Sequence, residues 1–324
     1  MTRRPRARRD RRQGGFTLIE LMVATVLLGL VVGMSLQLAF TMIEGYRTQR
    51  SALAIERNAR GSIDLIANAA RAASTGVVTG DLRDAGGCSD VIGLSVENHD
   101  DGPDKLTVIH GISGALTSTR AAVTSATTTF AITDGTGLSA GDLVIVTNGD
   151  VGRVFPVTAI TANTITTTQG ACPGMPMPSL AKGSLVIRAR ISTLYIEDSA
   201  DGTPMLMLDP DGDGARVAQP VAEGIEDLQI AIGVDVDDDG ALLDNDDTTD
   251  EWYYNAAGDP DPPAITGGKW RAIRITVVAR DLKPGTAASA PPAAEDHPAG
   301  SVDDYRRRVL STTTELRNFI QGNP

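Results

Sequence analysis

The chain has 324 residues, of which 41% are hydrophobic and only 4% aromatic, with 34 glycines and 17 prolines, a composition typical of a loop-rich β domain and unlike that of a dense enzyme core. The net charge is −12, but the first 15 residues carry seven arginines and one aspartate, which leaves −18 on the rest. An acidic body repels phosphates, so nucleic-acid binding by the bulk of the chain is disfavoured.

The N-terminal region predicts a membrane anchor. After the basic leader, residues 21–43 form a run of 23 residues without a charge. As a helix this run is about 35 Å long, enough to cross a hydrocarbon core of ~30 Å. By the positive-inside rule the arginines keep the N-terminus in the cytoplasm, so the body is expected on the periplasmic or outer side.

The junction before the apolar run differs from an ordinary secretory signal, in which small residues follow the apolar region. Here Gly14 and Gly15 precede it, and the chain continues Phe16-Thr17-Leu18-Ile19-Glu20-Leu21. This junction resembles the prepilin signal of type IV pilins and type II secretion pseudopilins. The resemblance implies that a prepilin peptidase cuts between Gly15 and Phe16, that Phe16 is N-methylated, and that the apolar helix stays on the mature chain.

Glu20 is the charged residue at the edge of the apolar run. A carboxylate there costs a few kcal/mol in lipid. Cleavage would create a positive amine on Phe16, one helical turn away on the same or a neighbouring chain, and an ion pair inside an apolar bundle is strong when both partners are present. We therefore expect Glu20 to set the register of assembling subunits. The alternative is a carboxylate at headgroup level with little effect.

The helix is predicted to continue beyond the membrane. No proline occurs in residues 46–73, and apolar residues recur there at helical spacing, at Ile55, Ala59, Ile63, Ile66, Ala70 and Ala73. Ser74-Thr75-Gly76 ends the pattern. The expected order is a basic leader over residues 1–15 and a pilin-like helix over residues 16–75, transmembrane at about 21–43.

From residue 90 onward the pattern changes to period two, which indicates strands. The predicted strands are residues 91–96, 105–110, 128–132, 143–147, 154–160, 164–168, 185–196, 206–208, 228–234 and 270–279. The fold class is therefore α+β, a long helix on an antiparallel sheet. We expect a β-rich head over residues 76–283 with an inserted small β subdomain at about 120–182. A Pro/Ala-rich mobile loop at 284–300 and a C-terminal strand region at 301–324 would follow.

Two cysteines occur, Cys88 and Cys172. An even count in an exported chain indicates one disulfide, and the alternative is two buried free thiols.

Two acidic segments have the alternating carboxylates that calcium loops use before a glycine. The first contains Asp209, Asp211 and Asp213, and the second contains Asp235, Asp237 and Asp239, with Asp246 at the twelfth position. Neither is flanked by an obvious pair of helices, so a calcium loop in a β-hairpin is the hypothesis, and a solvated acidic turn is the alternative. No other cofactor is expected to be required.

The sequence does not predict an enzyme. The three histidines, His99, His110 and His297, have no nucleophile motif around them, and each is expected at the surface. The paired carboxylates lie in turns that lack apolar surroundings to tune them.

The C-terminal part contains Val221 to Ile230, Trp270 to Ile275 and Tyr305 to Val309, segments that resemble PilW-type minor pilins. The resemblance implies a non-enzymatic minor pilin, anchored in the inner membrane before it enters the filament or reaches the cell surface. Its partners would be prepilin peptidase, other pilins and minor pilins, the pilus assembly platform and inner-membrane lipid. The alternatives are a J-type pseudopilin of type II secretion and an adhesin or DNA-uptake subunit.

Overall fold

The computed structural model describes residues 15–77, 81–84, 93–124, 127–167, 179–211, 216–244, 250–263, 269–285 and 289–319. With 21% helix and 41% strand, it confirms the α+β class. The chain divides into two compact units, Met1–Leu53 and Ala54–Pro324. They are called the N-terminal unit and the head below.

The helix α1 covers Leu18–Ala72, 55 residues without a proline. It ends where the sequence predicts, because Ser74 has φ of 54° and Gly76 has φ of 89°, both outside the helical region. The amide of Ser74 leaves the helix pattern and donates to the carbonyl of Ile109 at 2.8 Å. The helix end is therefore held by a strand of the head.

Fourteen strands follow in the described residues. They are β1 (Asp81–Asp84), β2 (Leu94–Glu97), β3 (Lys105–Ser118), β4 (Thr129–Ala131), β5 (Leu143–Thr147), β6 (Val151–Thr161), β7 (Thr164–Thr167), β8 (Leu185–Asp198), β9 (Pro204–Asp209), β10 (Gln219–Glu223), β11 (Ile225–Asp235), β12 (Trp252–Tyr253), β13 (Lys269–Arg280) and β14 (Arg307–Glu315).

The strands form two sheets. The larger has the order β10-β9-β8-β5-β6-β7-β4, with β3 also on β8, β2 on β3, and β1 on β6. The smaller has the order β12-β11-β13-β14. Pairing is antiparallel except between β1 and β6. Strand β8 is long enough to pair with β5 through residues 185–189 and with β9 through residues 193–198.

The main core of the head lies between the last turns of α1 and both sheets. All six apolar residues predicted on the inner helix face are buried, from Ile55 to Ala73. They pack with Leu106 and Leu194 of the larger sheet and with Ile230 and Ile275 of the smaller one, among others. The 3.6-residue period therefore identified the buried helix face from sequence alone.

A second core is built from residues of β4 to β7 and their neighbours, with Phe130 and Phe155 at a ring distance of 5.3 Å. These strands are hydrogen-bonded into the larger sheet through β5, which pairs with β8. The inserted subdomain expected at about 120–182, like the other domain limits, stays a prediction.

The predicted strands were located correctly in most cases, and residues 143–147 match β5 to the residue. Strands β1, β10 and β12 were not predicted. Strand β10 lies at the edge of the larger sheet with four of its five residues exposed, and β12 has only two residues. Such strands bury too little apolar surface to produce an alternating pattern.

The segment 284–300, predicted as a mobile loop, contains residues packed on the smaller sheet. The Nε–H of Arg274 donates a bifurcated hydrogen bond to Glu295 Oε1 at 3.1 Å and Oε2 at 3.0 Å, and Thr276 Oγ1 donates to Glu295 Oε1 at 2.7 Å. Asp296 is 3% exposed. The described part of this segment is therefore bonded to β13 through the side chain of Glu295.

A buried aspartate joins the β2–β3 hairpin to β11. Asp104 is fully buried, and its two carboxylate oxygens accept hydrogen bonds from the amides of His99 at 2.9 Å and Ile230 at 2.8 Å. Burial raises the pKa of Asp104 from its ordinary value of 3.8 to about 8, and the nearby carboxylates of Asp296 and Asp227 add to the increase.

This raised pKa predicts a pH-dependent stability. The folded head holds a proton on Asp104 that the unfolded chain releases above about pH 4, so the contribution favours folding at low pH and is lost as pH rises through about 8. We expect the free energy of unfolding to fall by up to ~1.4 kcal/mol per pH unit between pH 6 and 8. Urea titrations of the full chain in detergent at these pH values measure it.

Asp104→Asn should flatten this pH dependence, whereas Asp101→Asn, an exposed aspartate of the same hairpin, should keep it. An unchanged slope in Asp104→Asn would show that another group is responsible.

Candidate functional site

The start of α1 is organised around Glu20. The amide of Thr17 donates to Glu20 Oε2 at 3.0 Å, the Thr17 hydroxyl donates to the same oxygen at 3.0 Å, and the Glu20 amide donates to Thr17 Oγ1 at 3.3 Å. This reciprocal pattern is a capping box with Thr17 as the N-cap residue. Among the described residues, Glu20 Oε1 takes no hydrogen bond, so one carboxylate oxygen remains open to a further donor.

This cap was not predicted from the sequence. The signal was present as Thr17-Leu18-Ile19-Glu20, a threonine followed three residues later by a glutamate before an apolar run. The charge of Glu20 was assigned to an assembly role, and its possible hydrogen bonds with Thr17 were not considered. Because Thr17 and Glu20 both follow the Gly15–Phe16 junction, the cap would remain after cleavage there.

The apolar surface of the N-terminal unit is exposed. Phe16 is 89% exposed, and the large apolar side chains that follow it to Leu53 are each about half exposed or more. By length and composition α1 qualifies to cross a membrane. The hydroxyls of Thr25, Ser35 and Thr41 donate to carbonyls three or four residues earlier, at 2.8–3.0 Å, so these polar groups are satisfied within the helix.

The second acidic loop brings three carboxylates together. One oxygen each of Asp235, Asp237 and Asp239 lie within 4.8 Å of one another. Asp235 is the last residue of β11 and is 2% exposed, whereas Asp237 and Asp239 are exposed. The alternating spacing therefore places one buried and two exposed carboxylates at the same point of the loop.

Glu251 fixes the ends of this loop. It is 5% exposed, and its oxygens accept hydrogen bonds from the amides of Val236 at 2.9 Å and Leu243 at 3.0 Å. Its own amide donates to the carbonyl of Leu243 at 3.0 Å. The loop conformation thus depends on a carboxylate next to β12 that the sequence analysis did not single out.

The remaining predicted sites are placed only in part. In the first acidic loop, Asp209 Oδ1 accepts from the amide of Asp211 at 3.1 Å, and Asp211 Oδ2 accepts from the amide of Arg216 at 2.9 Å. The other predicted residues, which lie outside the described residues, are Asp213, Asp246, Cys88 and Cys172. The disulfide and the twelfth loop ligand stay predictions.

His297 differs from its expected surface position. Its side chain is 26% exposed, and its Nδ1 lies 2.7 Å from Asp227 Oδ2 and 3.4 Å from Gln229 Nε2. This pair would resemble the base and orienting group of a hydrolase, but among the described residues no hydroxyl or thiol is hydrogen-bonded to the ring. The pair instead holds the segment after residue 289 against β11.

Two family models match the sequence. The model for Type IV Pilus-assembly protein W (PilW) matches residues 193–318, from the second half of β8 to the turn after β14. The model for the prokaryotic N-terminal methylation motif matches residues 10–36, across the Gly15–Phe16 junction and the cap of α1. Searches of the curated proteins and of the solved structures gave no match. Neither matched family is catalytic.

Proposed function

We propose that this chain, a type IV pilus pilin of the PilW type, is a minor pilin that is processed at the inner membrane and then packed into the filament or used to start it. The observation that carries the proposal is the Gly15–Phe16 junction, followed directly by a capped helix with an exposed apolar surface. Its partners are prepilin peptidase, other pilins and the assembly platform. Its activity is assembly, without a catalytic step.

The exposed apolar helix supports the membrane and filament steps. In the bilayer, acyl chains cover the side chains of residues 21–43, and the hydroxyls in this range are all satisfied within the helix. Outside the bilayer, so much apolar surface must be covered by other chains. Lipid covers this apolar surface before assembly, and a bundle of similar helices covers it in the filament. Before cleavage the leader lies in the cytoplasm and the head in the periplasm.

The geometry of Glu20 supports a role in docking. Cleavage after Gly15 would leave a positive amine on Phe16, next to the capping box. Since the cap uses Glu20 Oε2, the other oxygen can accept from an amine on the same chain or on a neighbour. An uncompensated carboxylate in an apolar bundle is costly. Neighbouring subunits would therefore pack with the axial offset that brings the Glu20 carboxylate next to a Phe16 amine.

Mass spectrometry of the chain from inner-membrane and sheared-fibre fractions tests this proposal. In both fractions we expect a mature N-terminus at Phe16, with the mass increased by that of one added methyl group. Recovery with the arginine-rich leader still attached, or without residues 16–43, would contradict it. Recovery in the membrane fraction alone would favour the short periplasmic assembly of a type II secretion pseudopilin.

A further inference from the structure

We propose that the loop between β11 and β12 binds a calcium ion through Asp235, Asp237 and Asp239. The inference goes beyond the proposed function and does not depend on it. It starts from the approach of three carboxylate oxygens to within 4.8 Å of one another. Oxygens bound at about 2.4 Å to a common ion are at most about 4.8 Å apart, so this grouping is compatible with the calcium coordination distance.

The buried carboxylate is the independent observation. Asp235 has a fully buried side chain, and its Oδ1 atom is buried without a hydrogen-bond partner. An anionic oxygen in that position is unfavourable unless a cation or a donor approaches it. Its other oxygen, Oδ2, accepts from the amide of Gly240 at 3.1 Å and forms an ion pair with Arg271. Oδ1 is therefore the oxygen of Asp235 that lacks a hydrogen-bond partner, and a bound cation would supply one.

The charges of the neighbouring side chains favour a divalent cation. Residues 235–240 of the loop contain four carboxylates, because Asp238 lies between Asp237 and Asp239. Asp238 forms ion pairs with Lys269 and with Arg271, so its carboxylate is occupied by the two cations. Four carboxylates against two cations leave residues 235–240 negatively charged, the buried Glu251 adds to this charge, and a calcium ion would offset it.

The exposed carboxylates keep an oxygen for the ion. Asp237 Oδ1 accepts from the amide of Asp239 at 3.1 Å, and Asp239 Oδ1 accepts from the amide of Ala241 at 2.7 Å. The Oδ2 atoms take no hydrogen bond among the described residues. Together with Asp235 they supply three side-chain ligands, and loop carbonyls and water would complete a shell of six to eight oxygens, which calcium tolerates better than magnesium does.

Calcium titration of the purified full chain in detergent, at matched ionic strength, tests the proposal. With a dissociation constant of roughly 0.1–1 mM, as in extracellular calcium sites, we expect saturable binding by equilibrium dialysis with labelled calcium. We also expect a rise in Tm of about 3 °C at 5 mM calcium. Magnesium at the same concentration should give a clearly smaller shift.

The double variant Asp237→Asn, Asp239→Asn should lose one bound calcium and the Tm shift. Its matched control is Asp134→Asn, Asp201→Asn, which also removes two exposed carboxylates that accept from turn amides. The control should bind as the unmodified chain does.

Absence of saturable binding to the unmodified chain overturns the proposal, as does equal binding by the two double variants. Because binding is measured on the purified chain, a negative result leaves the processing and assembly proposal intact. A failure to find the Phe16 terminus likewise leaves the calcium site intact.

Discussion

Glu20→Gln is expected to reduce the chain recovered in sheared filaments by about a hundredfold, while cleavage between Gly15 and Phe16 continues. Glutamine at this position keeps the capping box, because its side-chain oxygen still accepts from the Thr17 amide. It removes only the charge. Breaking one side of a buried ion pair costs ~3–5 kcal/mol, which corresponds to a change of a hundredfold or more in an equilibrium constant.

Thr17→Ala is the matched control, since it removes the hydroxyl that bonds the Glu20 amide but keeps the carboxylate. Loss of an N-cap costs about 1 kcal/mol, so filament recovery should fall by about fivefold at most. Quantitative immunoblots of sheared and membrane fractions compare the two variants. If Thr17→Ala reduced recovery as strongly as Glu20→Gln, Glu20 would act as a helix cap, and its role as a counter-ion would have to be abandoned.

Ile66→Ala is expected to lower the free energy of unfolding of the head by ~2–5 kcal/mol. Ile66 is fully buried in the core between α1 and the sheets. Removing its larger side chain leaves a cavity that helix and strands cannot easily close, because both are regular elements with many fixed neighbours. Denaturant titration of the full chain in detergent, followed by tryptophan fluorescence, measures the change, since Trp252 and Trp270 both lie in the head.

Leu116→Ala is the matched control for Ile66→Ala. Leu116 lies in β3 and is 71% exposed, so its truncation should change the unfolding free energy by no more than ~0.5 kcal/mol. Similar stability of Ile66→Ala and Leu116→Ala would mean that the helix face is not part of the cooperative core.

The strand predictions succeeded where the apolar residues of a strand are buried. Strand β5 has four buried residues among five, and the sequence located it to the residue. Strand β10 was not predicted, because its backbone hydrogen bonds are made with β9 at the sheet edge while most of its side chains are exposed. The packed contacts of Glu295 and His297 were missed for a related reason: a polar segment rich in proline has no periodic pattern, yet its side chains can bond to distant strands.

The sequence by itself determined the long apolar helix, the inner face of α1 and the α+β class, and it predicts the cleavage junction. These features depend on residues close together in the chain, where apolar period, charge and chain length suffice. Only the tertiary structure decided that Asp235 is buried with an unpartnered oxygen, that Glu251 closes its loop, and that Arg271 and Lys269 take the other charges. Those facts depend on the pairing of β11 with β12 and β13, which brings together residues that sequence spacing does not relate.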